Sequence, residues 1–254
     1  VFEQPDNFPE HAIDGRVYSD ECMKVVLEEG VHAVVLAGNG PAVYTKQLKE
    51  AGINSLFRAM PSNVSEAKKA EKAGVDAFIA VGFEGGGHTG ADRISTLSLV
   101  PQIVDAVKIP VVAGGGIADG RGMAAAMALG AEGVFMGTRF IATRECPAHN
   151  IVKQAILESG DTGTTSVTGI PGVLRALKTP LMERCVRMEG GGAALAEVTE
   201  LYHSGYMKGM LDGDWNEGTF VCGAGAGMIK NIKSASLVVQ DIIIEAEQLM
   251  NKVK

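Results

Sequence analysis

A closed α/β fold, a TIM-type (β/α)8 barrel, is predicted by three observations. Short apolar, β-branched runs alternate with amphipathic helix-like segments, a glycine ends the early helical segments at a constant interval, and two of the runs empty into glycine-dense turns. The interval is set by Gly30, Gly52 and Gly74, which stand 22 residues apart. That distance holds one strand of about 5 residues, one helix of about 11 and two short loops. Each glycine supplies the left-handed residue that ends a helix and turns the chain into the next strand.

Taken in order, strands are predicted over residues 31–36, 53–57, 75–80, 109–113 and 133–136, the last entered through an Ala-rich helix over 123–129 and its terminal Gly130. Near-continuous apolar strands call for a parallel sheet covered on both faces. An open doubly wound sheet shares this alternation, so the second glycine turn has to choose. A dinucleotide fingerprint needs G-x-G-x-x-G and a carboxylate about 20 residues on. Here Gly114-Gly115-Gly116 is followed by a strand ending Met136-Gly137-Thr138-Arg139-Phe140, which has no carboxylate. The barrel arrangement fits instead: two late loops and a helix N-terminus share one phosphate. Gly115 and Gly116 supply one set of N–H donors, and Gly137 with the Thr138 N–H and hydroxyl supplies the other. Asp119 reads as the N-cap of the Ala-rich helix.

The 254 residues suit one large domain, and a formal charge of -7 with no Lys/Arg-rich run argues against a nucleic-acid partner. Cys22, Cys146, Cys185 and Cys222 are scattered without metal-ligand spacing. They read as reduced thiols of a cytoplasmic protein, with no metal site. No apolar run approaches the roughly 18 to 20 residues of a membrane span, and no membrane partner is expected.

The first glycine turn, Gly82-Phe83-Glu84-Gly85-Gly86-Gly87-His88-Thr89-Gly90, sets an imidazole inside the bend. It resembles the G-x-E-x-G-G-H-x-G segment of the nitronate monooxygenases, formerly called 2-nitropropane dioxygenases, and of the related flavin-dependent enoyl-ACP reductases. The segments from Ala113 to Gly120 and from Met136 to Phe140 resemble that family's two FMN-phosphate loops. The resemblance implies an FMN-binding barrel with the flavin phosphate at Gly114, Gly115, Gly116, Gly137 and Thr138. It further implies that His88 is the catalytic residue beside the flavin ring. The main expectation is oxidation of alkyl nitronates or nitroalkanes by molecular oxygen. The alternative is an enoyl-ACP (acyl thioester) reductase drawing on NAD(P)H, and a third reading is a non-catalytic or incomplete subunit. Independently of family, His suits the reacting position because its unperturbed pKa near 6.5 lets it take or give a proton around neutrality. His88 can remove an α-proton or hold an anion as imidazolium.

Two departures from the family stand out. Its first three strands have no counterpart, since residues 31–38 resemble the fourth strand. Either the chain is a fragment, or a second chain supplies the missing strands, or residues 1–15 replace them; a homo-oligomer is expected in addition. Near the C-terminus, Val221-Cys222-Gly223-Ala224-Gly225-Ala226-Gly227 places Ala224 where the family's flavin-edge loop has Gln.

The remaining candidates are weaker. Glu84 either orients the flavin or holds the turn by accepting backbone N–H bonds. His32 reads as a packed strand residue, His149 as a helix-start residue that caps, packs or meets substrate, and Arg139 as the partner of an acidic neighbour. His11 and His203 have no supporting pattern. Residues 1–140 form the barrel units with the flavin site. Residues 141–254 form a lid or insert and a barrel-sealing helix of the same domain. That second stretch comprises a helix over 148–159, a Gly190-Gly191-Gly192 hinge or exposed turn, and a helix over 193–211. Its methionines (Met182, Met188, Met207, Met210, Met228) fill apolar space, and an amphipathic helix over 234–253 buries Leu237, Val238, Ile242, Leu249 and Val253.

Overall fold

The computed structural model describes residues 15–38, 40–170 and 172–253. His11 and residues 1–14 of the segment considered as a strand replacement lie outside the described residues. The first half runs α1 (Gly15–Glu29), β1 (Ala33–Gly38), α2 (Ala42–Glu50), β2 (Asn54–Ala59), α3 (Val64–Ala73), β3 (Ala77–Val81), β4 (Gly87–Thr89), α4 (Thr96–Val104), β5 (Val111–Gly114), α5 (Gly120–Ala128) and β6 (Gly133–Phe135). All five predicted parallel strands are present, in one sheet ordered β1-β2-β3-β5-β6. Their register runs Val34 to Ser55, Phe57 to Phe78, Ile79 to Val112 and Ala113 to Val134. This is the β/α-barrel arrangement, carried by five consecutive parallel strands.

Local chemistry explains why these segments form. The Asn63 side chain accepts from the Glu66 N–H at the start of α3, and Gly74 closes the helix at φ 86°. Gly30, Gly52 and Gly130 also have positive φ, as their helix-ending positions require. Ala67 and Ala70 form the buried face of α3. Beneath it, Phe57 and Phe78 meet at 6.3 Å and join Leu48, Ile53, Leu99 and Ile103 in the main core.

The second half holds α6 (Thr138–Ile141), α7 (Asn150–Glu158), β7 (Thr164–Gly169), β8 (Gly172–Leu177), α8 (Pro180–Gly190), α9 (Leu195–Met210) and α10 (Ala235–Val253). Here the structure adds what the sequence pattern lacked. The strands β7 and β8 form an antiparallel hairpin, and β4 pairs with β8 to complete a three-stranded sheet. The helices α8 and α9 cover it through a second core of Val167, Leu174, Leu181, Met182, Val198 and Tyr202. Gly190 to Gly192 form the turn between those helices, mostly exposed. The helix α10 lies on the start of α5, where the Gly120 N–H donates to the Glu245 carboxylate at 2.8 Å.

Several readings are corrected by this packing. His32 is exposed, because it precedes β1 rather than lying inside it. Met182 is core, but Met207 and Met228 are exposed, as is Leu237 on α10, whose buried residues include Val238, Ile242 and Ala246. The side chain of Val253 lies outside the described residues. Among the described residues no helix is long and apolar enough to cross a membrane.

Candidate functional site

The two glycine turns meet at one cavity of about 170 Å³, walled by Gly85 and Gly86 from the first turn and Gly115 and Gly116 from the second. Gly137 and Thr138, at the end of β6, complete the wall together with Cys222, Gly223 and Gly225. Gly114 is the last residue of β5 and leads into it. Backbone conformation explains the glycines: Gly115 and Gly116 sit at φ 96° and 72°, a region that side chains disfavour. At Gly86 the constraint is crowding, since a Cβ there would lie 2.5 Å from the Gly223 nitrogen. Gly137 differs from both. No described atom stands within 4 Å of where its Cβ would be, so the space above it is open to a ligand.

The donors around this space are now specific. The Thr138 hydroxyl accepts from the Gly223 N–H at 2.8 Å, which leaves its own proton for an incoming acceptor. The helix α5 is not a donor. Its first N–H groups go to carboxylates: Gly120 to Glu245, and Arg121 and Gly122 to the Asp119 cap at 3.0 and 3.2 Å. Asp119 is the N-cap it was read to be, and the helix that opens on the cavity wall is the short α6, which begins at Thr138. The cavity wall itself is formed by the loops at 115–116 and 137–138.

Glu84 holds the first turn. One of its carboxylate oxygens accepts from both the N–H and the hydroxyl of Thr96 at 2.9 Å, and its carbonyl accepts from the Ala224 N–H. Arg175, which carried no sequence signal, clamps the same turn by donating to the Phe83 carbonyl at 3.2 Å and stacking its guanidinium 4.6 Å from the Phe83 ring centroid. Ala224 opens a short 3-10 turn over Ala224–Met228 beside the cavity. Cys222 lines the cavity but is inert as a thiolate, its pKa pushed up to about 12 by burial.

His88 lies on β4, two residues past Gly86, with its carbonyl accepting from the Arg58 guanidinium at 2.9 Å. Arg58 itself lines the cavity. From the far side α9 brings Tyr202 and His203 against the His88 ring, at centroid distances of 5.9 and 5.5 Å. The pKa of His88 is lowered to about 4, by burial first and then by the nearby His203 and Arg58. In this setting burial and the two neighbours favour the neutral imidazole, and Arg58 brings a guanidinium to the same corner. Burial lowers the pKa of His203 as well.

The sequence missed Arg58, Arg175, Tyr202 and His203. Only Arg58 offered a signal, a charge inside the apolar run Leu56-Phe57-Arg58-Ala59. Two other candidates fall away from the cavity. The His149 ring accepts from the Ile151 N–H as the cap of α7. Arg139, expected beside a carboxylate, is buried and donates to the carbonyls of Ala142 and Asn231 at 2.8 Å instead.

Fold and site define a β/α-barrel protein with a glycine-walled cavity and a half-buried histidine on an adjoining strand. The chain belongs to the nitronate monooxygenase family, whose model matches residues 7–245. A probable nitronate monooxygenase of Staphylococcus aureus (strain MSSA476) is 37% identical over 214 residues, 81% of this chain and 59% of that protein. The chain therefore spans about 59% of the length of this curated relative. Among solved structures, FabK from Thermotoga maritima is 37% identical with a TM-score of 0.84, covering 93% of this chain and 74% of that one. A nitroalkane oxidase from Streptomyces ansochromogenes is 28% identical with a TM-score of 0.79, covering 97% and 72%.

Proposed function

We propose that this chain carries the FMN site of an oxidoreductase that oxidises alkyl nitronates or their parent nitroalkanes with molecular oxygen. The observation that carries the reading is the convergence of both glycine turns on one cavity, with His88 two residues beyond its wall. The residues suit a flavin phosphate: the N–H groups of Gly115 and Gly116 and the available proton of Thr138 are neutral donors for a dianion, and the space above Gly137 is open to receive it. Bound FMN supplies the redox chemistry. The chain's residues do the rest. Neutral His88 accepts the α-proton of a nitroalkane, whose C–H electron pair stays behind as the nitronate, and Arg58 offers positive charge to that anion.

The likeness to FabK favours a second reading, an FMN-dependent reductase of enoyl thioesters using NAD(P)H. Substrate tests separate the two. Oxygen uptake with an alkyl nitronate and without NAD(P)H supports the first; anaerobic NAD(P)H consumption that depends on a crotonyl thioester supports the second. A colourless protein that takes up no added FMN would sink both and leave a non-catalytic subunit. The four free thiols, two of them fully buried, support a cytoplasmic setting.

A further inference from the structure

We infer that Tyr202 is a positioning residue that fixes the proton of neutral His88 on Nε2, so that Nδ1 is the nitrogen left to take a proton from substrate. The argument starts from the hydroxyl. Tyr202 is buried and its Oη donates to the Ile170 carbonyl at 3.3 Å. A carbonyl oxygen only accepts, so the single phenolic proton is committed there. The neighbouring Thr199 hydroxyl has its own proton engaged, donating to the Leu195 carbonyl at 2.7 Å while it accepts from the Ile170 N–H at 2.9 Å.

With its proton engaged, Tyr202 faces His88 with a lone pair, and the Oη to Nε2 distance is 3.4 Å. That contact is a hydrogen bond only when Nε2 carries hydrogen. Among the described residues the His88 Nδ1 has no hydrogen-bond partner, whereas Nε2 has Tyr202. The surroundings keep the ring neutral from each side: the Arg58 guanidinium of β2 and the His203 imidazole of α9 both disfavour a second proton. His203 stands edge-on to both rings, 4.6 Å from Tyr202, which limits rotation of the pair. Because Tyr202 and His203 are consecutive on α9, the helix delivers the acceptor and the packing wall together.

The inference rests on His88 as the base, and the two fail separately. Nitrogen-15 spectra of histidine-labelled protein at pH 7, without substrate, report which ring nitrogen is protonated. The expected result is a proton on Nε2 alone in the wild type. In Tyr202→Phe, which keeps the ring and removes the acceptor, a mixture of both tautomers is expected. A wild-type proton on Nδ1, or a Tyr202→Phe spectrum identical to wild type, would overturn the assignment. In turnover, Tyr202→Phe should lower kcat by about 10-fold with KM little changed. Added to His88→Asn it should cost nothing more. An equal further loss in the double variant would mean that Tyr202 acts on the fold and not through His88. Should His88→Asn keep normal turnover while the spectra show Nε2–H, the base role falls and the tautomer assignment stands.

Discussion

The two ends of the site are built from different materials. At the glycine-walled end the chain uses backbone: two loops at strand ends, glycines where φ is positive, and one hydroxyl from Thr138. At the His88 end it uses side chains from three distant segments, with Arg58 on β2, His88 on β4, and Tyr202 and His203 on α9. The backbone end tolerates little change in conformation, because its donors are fixed by the fold. The side-chain end is tunable. Burial and two neighbouring groups shift one imidazole far from its ordinary range without altering the strand that carries it.

Removing the central group of each end tests this division most directly. His88→Asn is expected to lower turnover by about 10²-fold or more while flavin remains bound; near-normal steady-state rates would refute the catalytic role. At the other end Gly137→Val should do the reverse. Its φ of −100° is open to any residue and its Cβ would enter open space, so the melting temperature should hold while FMN affinity drops by about 10-fold, a cost near 1.4 kcal/mol. Gly115→Ala provides the contrast: φ is 96° and the new Cβ would lie 2.9 Å from the Gly82 carbonyl oxygen. Such strain costs about 1–3 kcal/mol, and thermal unfolding should register it. Equal effects of the two glycine substitutions on stability would break the distinction between an open cradle and a packed turn.

The same division explains what could be read from sequence. Gly30, Gly52, Gly74 and Gly130 announce helix ends because left-handed φ is a local demand that residue type reveals, and four of the five parallel strands followed from them, β5 being read from its apolar run alone. Asp119 and the cavity glycines were legible for the same reason. The hairpin of β7 and β8 was not. Part of its stability comes from pairing with three residues of β4 about 85 positions earlier, between Leu174 and His88. Tyr202 and His203 were likewise hidden, since nothing along α9 says which loop its buried face will meet. Arg139 misled because a buried guanidinium can be satisfied by carbonyls as well as by a carboxylate.

A smaller effect concerns pH. If the neutral imidazole is the form that works, kcat/KM should hold as pH falls below 6.5 and decline only toward pH 4, where His88 gains its proton. An acid limb centred near 6.5 would show that the corner does not shift His88 and that its ring behaves as an exposed one. In His203→Gln, which takes away one of the neighbours that lowers the value, the limb should move upward toward neutrality.

The smallest effect is on folding, and its sign follows from the same shift. In the unfolded chain His88 binds a proton near pH 6.5, and in the folded chain only near 4. Between those values the unfolded state holds more protons, so stability is full above pH 6.5 and is lost as pH falls through 4. Each pKa unit corresponds to about 1.4 kcal/mol, but His88 is only half-buried, and solvent screening reduces the effect to about 1–2 kcal/mol. Urea unfolding at pH 7 and at pH 4.5 measures it. His88→Gln, which has no titrating group, should lose less stability between the two than the wild type does. An identical loss in both proteins would assign the acid sensitivity to His203 and the remaining groups, and would leave the backbone end of the site as the only one whose properties the fold alone determines.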